Sequence, residues 1–131
     1  MDITVIVVLA IISVFVGLTL YSQHRAHQST GQSVAPFKTV MPDLEEEGVG
    51  LIYCFNPTCG PCKRMAPTID LIAQHATNVH KLDISQHTEI AKIIGIRGTP
   101  TTLLIKDGII CQVLLGVKKP DALNKLLEEI R

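Results

Sequence analysis

Two cysteines separated by two residues, Cys59 and Cys62, are the side chains whose type and spacing best suit chemistry. Thiols at this spacing can close a disulfide and reopen it, provided that one sulfur is a thiolate at working pH. A helix N-terminus supplies that condition, because its free backbone N–H groups and its dipole stabilise negative charge. An apolar stretch at residues 50–55 precedes the pair, and a helical pattern at residues 63–73 follows it. This order of strand, cysteine pair and helix predicts thiol–disulfide redox chemistry.

A metal site is the main alternative for a cysteine pair. Structural zinc needs about four nitrogen or sulfur ligands, and the sequence has no second cysteine pair of this spacing and no HxxxH pair. We therefore predict no metal site and interpret the five histidines as surface or tether residues. Cys54 and Cys111 lie in predicted strands among apolar neighbours, where a free cysteine behaves as a small hydrophobic residue. We expect both to be buried core thiols.

The elements that must position the cysteine pair alternate between strands and helices. Apolar periodicity predicts a short strand at residues 37–40, a short helix at 41–47, strands at 50–55 and 79–84, and helices after Cys59 and at 86–94. Asp107-Gly108 is a hairpin signal between two further strands, and a last helix begins at Pro120. This order predicts an α/β fold whose central sheet ends in an antiparallel hairpin.

The N-terminus carries a different signal. Residues 3–20 are almost wholly apolar, and as a helix they span roughly 27 Å, close to the ~30 Å hydrocarbon core of a bilayer. We predict a membrane anchor at residues 1–21, a polar tether at 22–36 and a globular domain at 37–131. A cleaved secretory signal is the alternative, but no basic residue precedes the apolar stretch.

Charge sets the expected orientation and excludes one class of partner. The chain has 12 basic and 12 acidic side chains, so it offers no basic footprint for nucleic acid. The basic residue nearest to the apolar stretch is Arg25, on its C-terminal side. Because basic residues that flank a span favour the cytoplasmic side, we expect a single-pass membrane protein with a cytoplasmic domain. An extracytoplasmic domain, periplasmic or lumenal, is the alternative.

From residue 37 onward the sequence resembles the thioredoxin family. The resemblance rests on Cys59-Gly60-Pro61-Cys62-Lys63, on Pro67 in the following helix, on residues 95–101 and on residues 106–108. It implies a thioredoxin fold, in which helices flank a mixed central sheet. It also implies that the Thr99-Pro100 bond is cis and faces the cysteine pair, where its backbone can pair with a substrate chain.

The resemblance implies a reaction as well. Cys59 is expected to attack a substrate disulfide, and the more buried Cys62 then attacks Cys59 and releases the reduced substrate. Gly60 and Pro61 are expected to set the turn, and Lys63 is a candidate to support the thiolate. Proline at the third position of the motif resembles the reducing members of the family. The chain is thus expected to be a protein disulfide oxidoreductase that reduces its substrates.

No cofactor is implied beyond the redox-active Cys59–Cys62 disulfide. The implied partners are protein disulfides, an electron-donating reductase and, through residues 3–21, a membrane. One alternative is an oxidase, isomerase or electron relay in an oxidising compartment, which uses the same residues at a different redox poise. Another is a thioredoxin-like binding module whose cysteine pair is incidental.

Three positions depart from the family's usual pattern. Thr58 and Phe55 stand where thioredoxins usually have Trp, and Tyr53 stands where they usually have a buried Asp. That Asp is thought to help move a proton when the second cysteine attacks, so its absence leaves the rate of this step open. Lys81 matches the family's lysine near the same site. We expect it to be either a charge partner for the site or an exposed strand lysine.

Overall fold

Most of the helices and strands follow from sequence patterns of a few neighbouring residues. The computed structural model describes residues 2–26 and 29–131. In this part of the chain the strands are β1 (Val49–Phe55), β2 (Val79–Asp83), β3 (Thr101–Lys106) and β4 (Ile109–Leu115), and the α-helices are α1 (Ile3–Ala26), α2 (Gly60–Ala73), α3 (Thr88–Ile94) and α4 (Pro120–Ile130). Asp107 and Gly108 join β3 to β4 with positive φ angles of 49° and 76°, as the predicted two-residue hairpin requires.

The strands form one mixed sheet in the order β2–β1–β3–β4. β1 runs parallel to β2 and antiparallel to β3, and β3 runs antiparallel to β4. The five central residues of β1 are all buried, as expected for a continuous apolar strand in the middle of a sheet. The predicted α/β fold with a terminal hairpin is confirmed.

Side chains that alternate along β1 divide the core into two clusters. Ile52 and Cys54 face the cluster that contains α3, whereas Leu51 and Tyr53 face the cluster that contains α2 and α4. Alternate residues of a strand point to opposite faces of its sheet, so neighbouring residues of β1 have different surroundings. Tyr53 therefore packs on the side of the helix that begins at the cysteine pair.

The segment before β1 differs from the prediction. Residues 37–40 form no strand and residues 41–47 form no helix, because Ala35–Thr39 is a 3-10 helix and a turn follows at residues 42–43. Phe37, Met41 and Leu44 are all buried in the cluster that contains α3. Their burial requires a turning backbone rather than an extended one. A four-residue apolar run does not distinguish these conformations.

Part of the predicted tether is bonded to the globular part. Ser29 Oγ donates a hydrogen bond to the Ile94 carbonyl oxygen at 2.6 Å. The Gly31 N–H donates to the Ile110 carbonyl at 2.7 Å, and the Ile110 N–H donates to the Gln32 carbonyl at 2.9 Å. Most of these are backbone contacts, which a polar composition does not reveal. Residues 27 and 28 of the predicted tether lie outside the described residues.

α1 is long and apolar enough to cross a membrane. None of its residues from Ile3 to Tyr21 is buried, and these 19 residues span about 28 Å as a helix. A signal sequence near the N-terminus has the same length and composition. The helix is thus a candidate for either role.

Candidate active site

Cys59 caps the N-terminus of α2. Its backbone is extended, with φ −80° and ψ 116°, and its Sγ accepts a hydrogen bond from the Cys62 N–H at 3.2 Å. The first N–H groups of a helix have no partner within the helix. Together with the helix dipole, they stabilise the thiolate form of a sulfur placed there.

Cys59 and Cys62 form a disulfide, with their Cα atoms 5.2 Å apart. Cys59 is partly exposed, whereas Cys62 is only 3% exposed. A substrate can therefore reach the first sulfur more easily than the second. This geometry suits Cys59 as nucleophile and Cys62 as resolving thiol, and these roles remain predictions.

Asn56 stabilises the loop that connects the end of β1 to Cys59. Its Oδ1 accepts hydrogen bonds from the Thr58 N–H at 3.0 Å and the Thr58 hydroxyl at 2.8 Å. Its carbonyl accepts from the Cys59 N–H at 3.0 Å. Sequence reasoning did not single out Asn56, although an asparagine followed by proline is a turn signal.

The Thr99-Pro100 bond is cis, as the resemblance implies. The Thr99 carbonyl oxygen lies 3.6 Å from Cys59 Sγ, so this loop faces the cysteine pair. The Gly116 N–H donates to the Pro100 carbonyl at 2.8 Å, which ties the loop to the end of β4. That its backbone pairs with a substrate chain remains a prediction.

The disulfide has three predicted site residues beside it on α2, namely Gly60, Pro61 and Lys63. Gly60 and Pro61 are its first two residues, where the missing proline N–H costs no helical hydrogen bond. A Cβ on Gly60 would meet no atom within 4 Å, so the space beside the disulfide is open. The Lys63 N–H donates to the Cys59 carbonyl at 3.3 Å, while its side chain is exposed.

The hydroxyl of Tyr53 contacts the backbone of the second cysteine. It donates a hydrogen bond to the Cys62 carbonyl oxygen at 2.8 Å. The Tyr53 ring is stacked on Phe55, with centroids 5.7 Å apart. Burial, with a smaller effect from the Cys54 thiol, raises the pKa of Tyr53, so it remains a neutral donor. This contact was missed, because a tyrosine in an apolar strand is typical of a core residue.

Lys81 pairs with Tyr53 in the register of β1 and β2. Its ammonium forms an ion pair with Asp70 of α2, and both side chains are exposed. A recess of about 250 Å³ lies between this lysine, Tyr53 and Cys62. The prediction that Lys81 is a charge partner for the site stays a prediction, and the pairing with Asp70 competes with that role.

The two remaining cysteines are free. Cys54 is fully buried, and burial raises the pKa of its thiol to about 12. Cys111 is only partly buried, and its Sγ lies 3.2 Å from the Leu104 carbonyl. The prediction of a buried thiol is confirmed for Cys54, while Cys111 is less enclosed than expected because β4 is the last strand of the sheet.

Similarity to known proteins agrees with this arrangement. The family model described as Thioredoxin matches residues 31–129. The chain is 34% identical over 86 residues to thioredoxin from Bacillus subtilis, covering 63% of this chain and 83% of that protein. It is 33% identical over 88 residues to thioredoxin from Pseudomonas aeruginosa, covering 65% and 82%.

Solved structures give the same result. A mutant thioredoxin from Halobacterium salinarum is 29% identical, with a TM-score of 0.65 over 77% of this chain and 86% of that one. Fasciola hepatica thioredoxin is 22% identical, with a TM-score of 0.62 over 72% and 91%, and shares the fold. The family match begins at residue 31, so it includes Gly31 and Gln32, which are bonded to Ile110 of β4, and excludes α1.

Proposed function

The chain belongs to the thioredoxin family, and from this premise we propose that it is a membrane-tethered reductase of protein disulfides. Thioredoxins are disulfide oxidoreductases that use their own dithiol in place of a cofactor. One observation carries the proposal for this chain. The partly exposed sulfur of Cys59 caps α2, is joined to Cys62, and lies 3.6 Å from the Thr99 carbonyl.

The reaction begins with the reduced pair. The Cys59 thiolate attacks one sulfur of a substrate disulfide, and the other substrate sulfur leaves as a thiolate and takes up a proton. Cys62 then loses its proton and attacks Cys59, which forms the Cys59–Cys62 disulfide and releases the second substrate thiol. Two electrons pass to the substrate, so a reductase must return two electrons to the pair before the next cycle.

The reductive direction is supported by the resemblance of Pro61 to the reducing members of the family. We expect the reduction potential of the full chain to lie nearer to the about −270 mV of thioredoxin than to the about −120 mV of strong bacterial oxidants. Equilibration with glutathione redox buffers measures it. A potential near the second value would contradict the reductive direction and favour the oxidase alternative.

Turnover of insulin disulfides by the full chain in detergent, with dithiothreitol as electron donor, tests the activity itself. We expect insulin reduction well above the rate with dithiothreitol alone. A chain that binds insulin without accelerating its reduction would instead favour the binding module.

The membrane tether is supported by α1 and by the short connection after it. α1 ends at Ala26, and Ser29 is already bonded to Ile94. Only three Cα-to-Cα steps separate Ala26 from Ser29, about 11 Å at 3.8 Å per step, and residues 22–26 extend α1 by about 8 Å beyond the span that ends at Tyr21. We therefore propose that the globular domain extends back to about residue 29 and is held close to the bilayer surface.

Orientation rests on Arg25, which follows the apolar stretch. Because basic residues that flank a span favour the cytoplasmic side, we expect a reporter fused after Arg131 to be active only in the cytoplasm. Reporter activity on the other side would contradict the orientation. Retention of the chain in alkali-washed membranes tests the anchor separately, and release into the soluble fraction would indicate a cleaved signal.

A further inference from the structure

We propose that Tyr53 is a positioning residue, which holds Cys62 in place for its attack on the mixed disulfide. The proposal rests on the reaction proposed above, with Cys59 as nucleophile and Cys62 as resolving thiol. Tyr53 touches neither the sulfur atoms nor the substrate in this role. It acts through the backbone of α2.

One peptide group links Tyr53 to both cysteines. The Tyr53 hydroxyl donates to the Cys62 carbonyl oxygen at 2.8 Å. The other end of the same peptide group is the Lys63 N–H, which donates to the Cys59 carbonyl at 3.3 Å. The phenol thus fixes the peptide group that closes the first turn of α2, and this turn carries both sulfur atoms.

The side chain of Tyr53 is itself fixed in position by the sheet and the core, so its hydroxyl can fix the position of α2. It lies in the central strand β1, between Lys81 of β2 and Thr102 of β3 in the register of the sheet. Its side chain is 2% exposed, and its ring stacks on Phe55. A side chain enclosed in this way has few alternative rotamers.

A recess lies next to Cys62, although the residue itself is only 3% exposed. The recess of about 250 Å³ borders Cys62 and Ala66 on the side that faces Tyr53 and Lys81. Part of the surroundings of Cys62 on that side is therefore open space rather than packed side chains. We infer that the hydrogen bond from Tyr53, rather than close packing, sets the position of Cys62 there.

The expected effect is confined to one step. Cys62 must bring its sulfur in line with the bond between Cys59 and the substrate sulfur. The new Cys59–Cys62 bond then forms as the substrate thiolate departs. A displaced first turn lowers the fraction of molecules in that geometry. The first attack by Cys59 uses an exposed sulfur and does not require Cys62.

The test compares Tyr53→Phe with Thr102→Val in the full chain. Thr102 lies opposite Tyr53 on β3, and its buried hydroxyl has no hydrogen-bond partner among the described residues. Thr102→Val therefore removes a hydroxyl from the neighbouring position without breaking a hydrogen bond. Both variants are reduced and mixed with a disulfide-linked peptide, then quenched with acid at set times. Mass spectrometry quantifies the mixed disulfide.

Loss of one hydrogen bond corresponds to roughly a three- to tenfold change in rate. We expect Tyr53→Phe to slow the decay of the mixed disulfide by that factor, and Thr102→Val to leave it unchanged. In a Cys62→Ser background, which isolates the first attack, Tyr53→Phe should form the mixed disulfide at the unchanged rate. Equal decay in Tyr53→Phe and the native chain would overturn the proposal, as would an equal slowing of both steps.

A second substitution separates the hydrogen bond from the packing of the ring. The chain has two tyrosines, Tyr21 and Tyr53, so growth of Tyr21→Phe on 3-fluorotyrosine labels only position 53. The fluorinated phenol keeps the ring and donates at least as strong a bond. We expect resolution at least as fast as in the native chain, and a slower rate would overturn the proposal. A Cys62→Ser chain that forms no mixed disulfide would instead refute the proposed function itself.

Discussion

The start of α2 and the interior of the sheet place the same type of side chain in two different environments. Cys59 caps α2, where the Cys62 N–H donates to its sulfur at 3.2 Å. Cys54 lies five positions earlier, in the middle of the core and fully buried. Burial there raises the pKa of the Cys54 thiol to about 12.

The difference shows that the backbone position, rather than the residue type, determines what a thiol does. A helix N-terminus offers free N–H groups and a favourable dipole to a negative sulfur. An apolar cluster offers neither, so the charged form of Cys54 loses its hydration without compensation. The chain turns from one environment to the other within the loop at Asn56.

The largest expected effect comes from removal of the two helix-start thiols. Cys59→Ser should lower insulin-reducing turnover at least about a thousandfold, because the nucleophile itself is lost. Cys62→Ser should lose turnover to a similar extent and should accumulate substrate on Cys59. Cys54→Ala is the matched control and should retain most of the activity. Equal trapping of substrate by Cys59→Ser and Cys62→Ser would contradict the order of attack.

Alkylation of the native, reduced chain at pH 7 sharpens the comparison. A thiol with a pKa of about 12 carries on the order of a thousandfold less thiolate at pH 7 than a free cysteine of ordinary pKa. We expect Cys59 to react first and Cys54 to react only after unfolding. Peptide mapping after a time course of iodoacetamide labelling measures this. Early labelling of Cys54 would show that its enclosure is incomplete.

The sequence predicted those parts of the fold whose signals are local. The cysteine pair lies between an apolar strand and a helix, Asp107-Gly108 forms the hairpin, and the last helix begins at Pro120. Each of these features depends on a few neighbouring residues. The exposed and buried sulfurs of Cys59 and Cys62 also follow from their positions at the start of α2.

Tertiary contacts decided what the sequence did not predict. The predicted elements at residues 37–40 and 41–47 are wrong, because Phe37 and Leu44 turn into the core. Residues 29–34 are bonded to Ile94, to β4 and to the Gly108 turn, mainly through backbone groups, which leave no hydrophobic pattern. The hydrogen bond from Tyr53 to Cys62 was missed for a similar reason, since it joins a side chain to a backbone carbonyl.

A smaller effect is expected at alkaline pH, where the buried thiol of Cys54 should lower the free energy of unfolding. A folded pKa of about 12 exceeds the unfolded value of about 8.5, so the folded chain holds its proton where the unfolded chain has lost it. Below about pH 8.5 the titration of Cys54 does not change the free energy of unfolding. Above that pH it lowers the free energy of unfolding by roughly 1 to 2 kcal/mol per pH unit. Tyr53, whose pKa is also raised by burial, adds a decrease of the same sign above about pH 10.

Urea unfolding of the oxidised chain between pH 7 and pH 10 measures this dependence. Cys54→Ala should reduce the decline between pH 8.5 and pH 10 and leave the part that comes from Cys111, whose pKa burial also raises. Insulin plays no part in this measurement, so the result is independent of activity. An unchanged decline in Cys54→Ala would show that another group is responsible.

The smallest effect is expected at Cys111, which tests how the burial of a thiol within the sheet affects stability. Its thiol contacts the Leu104 carbonyl at 3.2 Å but lies on β4, where it is only partly buried. Cys111→Ala should lower the free energy of unfolding at pH 7 by about 0.5 kcal/mol, and Cys54→Ala by about 1 to 2 kcal/mol. The larger loss follows because the fully buried sulfur of Cys54 leaves a cavity, whereas solvent can fill the space left beside β4. Urea unfolding of the two variants gives both values, and an equal loss in the two would mean that position in the sheet does not distinguish these thiols.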